Sequence, residues 1–349
     1  MKLKSLLLGS AAALFAFTGA RAADAVIAEP EPVEYVRICD AYGAGFFYIP
    51  GTETCLKIGG FVRYDININE EGWQKNTTSE INFDARSDTE MGILRSYISL
   101  RARAFGNGSN QDPIVVGDKE INGLNRDGAF IEEAFIQLGG LTIGTALDYF
   151  DSNGIGGELD QLGGARVNLI GYTYAANGAN FSVALVDDND DIDVVGDPDD
   201  DSDFTPNLQA TAGFEAGPAK FQGVVAYDND TEEFAGKLVA KFAVIEGGSL
   251  DVAAVYASGA TYTYRLAEWS VAASYNQKFS DTIKASVGVQ YWSDRNFDGA
   301  GSPNRIDVGA NVDWTPVKNF LVRGQIAYSD DEQTGFEGYT GRIRFQRSF

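Results

Sequence analysis

The stretch from Arg95 to Phe105 reads RSYISLRARAF. Taken every second residue, one set is Arg95, Tyr97, Ser99, Arg101 and Arg103, and the other is Ser96, Ile98, Leu100, Ala102 and Ala104. Side chains alternate across a strand, so this is a strand with one wet face and one apolar face. Three guanidinium groups on one side need water or partners. Either they coat the outside of a soluble sheet, or they face a wet interior while the apolar side looks outward to lipid.

The start of the chain bears on that choice. Lys2 and Lys4 precede the apolar stretch LLLGSAAALFAF (residues 6–17), and Ala20-Arg21-Ala22 has the small-x-small form of a cleavage site. Residues 1–22 are therefore expected to be a secretory signal peptide, followed by a proline-acid tail (AVIAEPEPVEY) within an N-terminal segment spanning 23–55. After the leader no apolar run of 18 residues occurs, so any membrane crossing is by strands. Strands cross lipid only as a closed barrel, whose signature is alternating segments of about ten residues separated by turn residues. Forty glycines, 16 tyrosines and 22 phenylalanines suit that signature.

Turn signals divide residues 56–349 into sixteen such segments. The first three are Leu56–Ile68, Ser79–Ser87 and about Met91–Phe105, with a loop to about Thr78 between the first two. The rest run to the terminal EGYTGRIRFQRSF. Short turns such as DTE, Gly139-Gly140, ANGA and Gly217-Pro218 follow the even-numbered strands, and longer polar stretches follow the odd ones. That parity is the mark of a barrel with short periplasmic turns and long external loops. The connection after strand 9 is the weakest fit, being short on the long-loop side. The expected fold is all-β: a sixteen-stranded antiparallel transmembrane barrel, wide enough for an aqueous interior. Lys57, Arg63 and Asp65 then point inward, as do Asn82, Asp84 and Arg86, with Ile58, Val62, Tyr64, Ile66, Ile81 and Phe83 outward. An arginine turned to the bilayer midplane would cost about 2 to 4 kcal/mol, which penalises any register slip.

The segment CDAYGAGFFYIPGTETCLKIGGFVR (residues 39–63) closely resembles the N-terminal segment of the general porins of alphaproteobacterial outer membranes, and the terminal Phe349 resembles the signal such proteins offer to the barrel assembly machinery. The resemblance runs the length of the chain. It implies a homotrimer in the Gram-negative outer membrane, among lipopolysaccharide, passing small hydrophilic solutes by diffusion. It also implies that the third extracellular loop folds inward to form a constriction. Loop parity places that loop at residues 149–165, with Asp151, Glu158 and Asp160, Asp148 at its root, and glycines at 154, 156, 157, 163 and 164. These carboxylates are expected to face a wall of Arg63, Arg86, Arg95, Arg101, Arg103 and Arg166, setting up a field across a narrow wet opening.

Cys39 and Cys55, the only cysteines of a chain bound for an oxidising compartment, are expected to form a disulfide. A zinc site is disfavoured by the absence of histidine. The loop from about 187 to 206 carries ten aspartates between Asp187 and Asp203 without EF-hand spacing, and reads as a solvated external loop that divalent cations could bridge to lipopolysaccharide phosphates. A net charge of -23 excludes nucleic acid as a partner. With no histidine, no G-x-S-x-G motif and no phosphate loop, neither catalysis nor a cofactor is expected. The alternative reading is a substrate-specific channel or a surface receptor or adhesin on the same barrel. Interior positions that look mostly charged or small speak against a sugar channel.

Overall fold

Alternation on this scale demands that every strand find two neighbours, and the architecture meets the demand by closing on itself. The computed structural model describes residues 37–106, 114–116, 119–121, 125–151, 154–157, 161–187, 205–299 and 301–349. The expected leader, the proline-acid tail, Glu158, Asp160 and residues 188–204 of the acidic loop lie outside the described residues.

Among the described residues sixteen long strands follow one another: β1 Cys55–Asn69, β2 Gly72–Thr89, β3 Gly92–Gly106, β4 Asn125–Leu138, β5 Leu141–Leu147, β6 Arg166–Ala176, β7 Ala179–Asp187 and β8 Asn207–Ala216. They continue as β9 Ala219–Asp228, β10 Glu233–Ile245, β11 Gly248–Ala257, β12 Trp269–Lys278, β13 Ile283–Ser293, β14 Arg305–Val317, β15 Phe320–Asp331 and β16 Phe336–Ser348. Each pairs antiparallel with the next, and β16 closes on β1, with Ile343 opposite Ile66 and Phe345 opposite Tyr64. No helix among the described residues is long and apolar enough to cross a membrane.

The even-to-odd connections are two to four residues long, as parity required. In the β6–β7 turn, Asn177 and Gly178 both take positive φ (53° and 77°), the geometry that matches a two-residue hairpin to strand twist. One boundary differs from the sequence reading. β2 begins at Gly72, so only Glu70 and Glu71 separate it from β1. Gln74 to Thr78 are polar on both faces, which hid the strand, but they hold register with Arg63 to Asn67 as an extended hairpin. The β9–β10 connection is also a short turn, residues 229–232.

The two faces separate by chemistry. Ile58, Val62, Tyr64, Ile98, Val183, Leu185 and Leu238 are exposed on the outer face, while Asp65, Thr78, Glu80 and Ser99 are buried on the inner one. Before β1, Cys39 and Cys55 are bonded, and Phe47–Tyr48 pairs with Leu56 and Cys55. This short pairing covers the part of β1 that β16 does not reach, since Phe349 hydrogen-bonds to Gly60.

Candidate functional site

Register alone gathers cations on one side of the interior. β15, β16 and β1 to β3 bring Arg323, Arg342, Arg344, Arg63, Arg86, Arg95, Arg101 and Arg103 onto the inner face. Most are matched by carboxylates of the same wall. Asp84 accepts from both Arg86 (2.7 Å) and Arg95 (3.0 Å), Asp65 from Arg344 (2.7 Å), and Asp313 from Arg323 (2.5 Å). Arg101 pairs with Glu80 at 2.6 Å and also with Glu132, whose carboxylate takes Arg166 at 2.7 Å as a second cation.

Glu132 is inward because the register between β3 and β4 shifts there, after Ser99 opposite Glu133 and before Leu100 opposite Ile131. A bulge of this kind inserts one residue and redirects a side chain. Strict alternation therefore could not have assigned both Glu132 and Glu133 to the interior. Aromatic rings also line this wall. Tyr97 stacks on Phe135 with Arg95 over both rings, Arg63 lies over Phe61 and Arg103 over Phe130. Beside the charged and small positions expected from the sequence, the interior thus also carries aromatic rings. The pairs Phe61/Arg63 and Arg95/Tyr97, two residues apart on one face, were the signal.

The opposite wall is built differently. On β9 to β12 the inward positions include Val224, Ala226, Ala235, Val239, Ala253, Val255 and Ala272, all buried, and Phe150, Ile155 and Leu162 of the β5–β6 connection pack on them. The backbone of that connection is held by inward side chains: Lys237 donates to the Phe150 carbonyl, Lys241 to that of Gly154 (2.7 Å) and Gln290 to that of Gln161 (2.9 Å). Ser274 accepts from the Gly156 N-H at 2.9 Å. At Gly157, with φ 80°, the two backbones touch. A Cβ there would lie 2.7 Å from the Gly288 nitrogen, so only glycine fits.

Asp148 is 2% exposed, and its carboxylate accepts from Gln209 (2.9 Å), the Thr263 hydroxyl (2.7 Å) and the Asp151 N-H (2.8 Å), none of them an arginine. Thr263 belongs to residues 258–268, where Thr261, Tyr262, Thr263, Tyr264 and Ala267 are buried, and burial pushes the Tyr264 phenol up. That this second connection locks the first was not foreseen; the sequence shows only SGATYTYRLAE, a polar-aromatic run with no period. Asp151 lines a cavity of about 920 Å³ together with Gly154 to Gly157, Asn311, Asp313 and Arg323. Among the described residues Arg323 is thus a wall arginine that shares a space with a loop carboxylate, and it was not among the sequence candidates.

Set beside known proteins, the chain matches the family described as "Porin subfamily" over residues 24–346. It is 34% identical over 382 aligned positions to Porin Omp2a of Brucella melitensis and 35% identical over 375 to Porin Omp2b of Brucella neotomae, each alignment covering the whole of both chains. Among solved structures, the outer membrane channel DcaP of Acinetobacter baumannii superposes with a TM-score of 0.64 at 14% identity, covering 86% of this chain and 99% of that one. A mutant of the Rh. blastica porin superposes at 0.54 and 14%, covering 84% and 100%. At such identity these two speak for the barrel fold.

Proposed function

This chain belongs to the porin subfamily, a family of channels of the Gram-negative outer membrane and not of enzymes, and from that premise we propose that it is a water-filled pore for passive diffusion of small hydrophilic solutes and ions. The pore is narrowed where the described residues of the β5–β6 connection, Phe150, Gly154 to Gly157, Gln161 and Leu162, lie against β9 to β13, leaving the opening between them and the arginine wall. One observation carries the reading: the cavity of about 920 Å³ has loop residues Asp151 and Gly154 to Gly157 on one side and Arg323 with Asp313 on the other. A solute there sheds part of its water beside fixed charges of both signs, so polar solutes keep compensating interactions and bulky apolar ones gain none. Relative to the expected design, the carboxylates opposing the arginines are mainly those of the wall itself, Asp65, Glu80, Asp84, Glu132 and Asp313. The oligomer proposed is a homotrimer, on the resemblance to general porins, with Phe349 the assembly signal.

The test is single-channel recording of the refolded full chain in planar bilayers under a salt gradient. Ohmic steps in groups of three are expected. Silence from protein shown to be folded by heat-resistant migration on a gel would sink the diffusion-pore reading. The stacked Tyr97 and Phe135 rings under Arg95 favour, as a second reading, a channel with solute preference. Solute-induced current blockade separates the two.

A further inference from the structure

Two of the wall arginines, Arg63 and Arg103, contrast with five that are ion-paired. Arg86, Arg95, Arg101, Arg323 and Arg344 each have a carboxylate within ion-pair distance. Among the residues whose side chains are described no such carboxylate is found for Arg63 or Arg103; Asp127, opposite Arg103 in the register, lies outside that set. The Arg63 Nε donates to the neutral amide of Gln346 at 2.8 Å, and its guanidinium lies 4.5 Å from the Phe61 ring centroid. Arg103 lies 5.6 Å from the Phe130 centroid. The carboxylate two residues along the same face, Asp65, is already held by Arg344 at 2.7 Å.

The register puts these two open cations side by side. Thr78 of β2 is opposite Arg63 on β1 and opposite Arg103 on β3, so Gln346, Arg63, Thr78 and Arg103 form one inward row round the wall. Neighbouring strands are about 4.8 Å apart, so the Cα atoms of Arg63 and Arg103 are about 10 Å apart. Their positions immediately along the strands are matched: Asp65 with Arg344 on one side of the row, and Glu80 with Arg101 on the other. Guanidinium groups present planar forks of N-H donors suited to oxyanions, and a cation without a partner anion in a narrow space attracts one.

We propose that Arg63 and Arg103, flanking Thr78, form a binding step in the channel for oxyanions, that is, solutes bearing phosphate or carboxylate groups. The inference rests on the pore reading above. It gives the interior a local preference for anions in spite of the chain's net charge of -23.

The experiment records single channels of the full-length protein with inorganic pyrophosphate added on one side, and reads the reversal potential in a potassium chloride gradient. Resolved, voltage-dependent blockades by pyrophosphate are expected. Arg63→Gln and Arg103→Gln should each shorten the blocked dwell at least about fivefold and shift the reversal potential toward cations. Gln346→Glu keeps the hydrogen-bonding shape, supplies Arg63 with the carboxylate it lacks, and should shorten the dwell likewise, which covers the case in which an arginine variant fails to assemble. Lys220→Gln removes an interior cation already paired with Glu215 at 2.6 Å and should leave the dwell within about twofold. Channels that conduct but show no blockade, or a dwell unchanged in Arg63→Gln, Arg103→Gln and Gln346→Glu, would overturn this inference while leaving the pore intact. Absence of conductance would instead strike the pore reading itself.

Discussion

The two walls of this barrel solve the same problem in opposite ways. From β15 round to β4 the interior is wet, and charge answers charge: arginines stand two residues or one strand from the carboxylates that hold them. From β9 to β12 the interior carries valine and alanine, because a loop lies on it and excludes water. A barrel wall facing solvent on its inside must alternate in chemistry. A wall covered by its own loop need not, so valine and alanine stand inward there beside the polar side chains, Lys237, Lys241 and Ser274, that hold the loop's backbone. The difference teaches that the polarity of an inward position reports what covers it, not merely which way it points.

The sharpest way to break the covered wall is Phe150→Ala. The ring is fully buried in the cluster that holds Val224 and Val255, beside Tyr264, and its removal is expected to cost about 3 to 5 kcal/mol of loop docking. Single-channel conductance should rise with added open-channel noise, while heat-resistant migration of the barrel persists. Conductance equal to wild type would mean the loop does not set the opening.

On the charged wall Glu132→Gln deprives Arg101 and Arg166 of a shared anion. Breaking a buried pair costs about 3 to 5 kcal/mol, but these guanidiniums are 18% and 39% exposed to a wet interior, which reduces the expected loss to about 1 to 3 kcal/mol. Urea unfolding in detergent micelles should show the lowered midpoint; a midpoint within error of wild type would argue that water screens this wall completely.

A smaller effect belongs to the lock between the two connections. Thr263→Val removes a buried hydroxyl donor from Asp148 and is expected to cost about 1 to 2 kcal/mol locally. Limited proteolysis should then cut within residues 149–165 or 258–268 sooner, with the barrel resistant as before. No change in cleavage would mean that this hydroxyl is dispensable and that the backbone bond from Gly164 to the Thr263 carbonyl (2.8 Å) holds the two connections together. The smallest effect is that of Lys220→Gln, whose pair with Glu215 is largely exposed; less than about 1 kcal/mol is expected in the same unfolding assay, and a larger loss would contradict the screening argument.

The strand number, the turn parity and the inward placement of Arg63, Arg86, Arg95, Arg101 and Arg103 were all legible in the sequence, because each rests on a local period of two and on turn residues beside it. So was the pairing of Cys39 with Cys55, from the cysteine count and the compartment. Three things were decided only by tertiary structure. The bulge at Glu132 and Glu133 depends on a register shift that neither strand shows alone. The burial of Tyr262 to Tyr264 depends on what Asp148, just past β5, and Asp228, at the end of β9, offer from elsewhere in the chain. The share of charge at each arginine depends on which strand closes against which: Arg344 meets Asp65, and Arg63 meets Gln346, only because β16 joins β1 across nearly the whole chain. Alternation is a property of neighbours in sequence; electrostatic balance is a property of neighbours in space, and closing the barrel makes the second from the first.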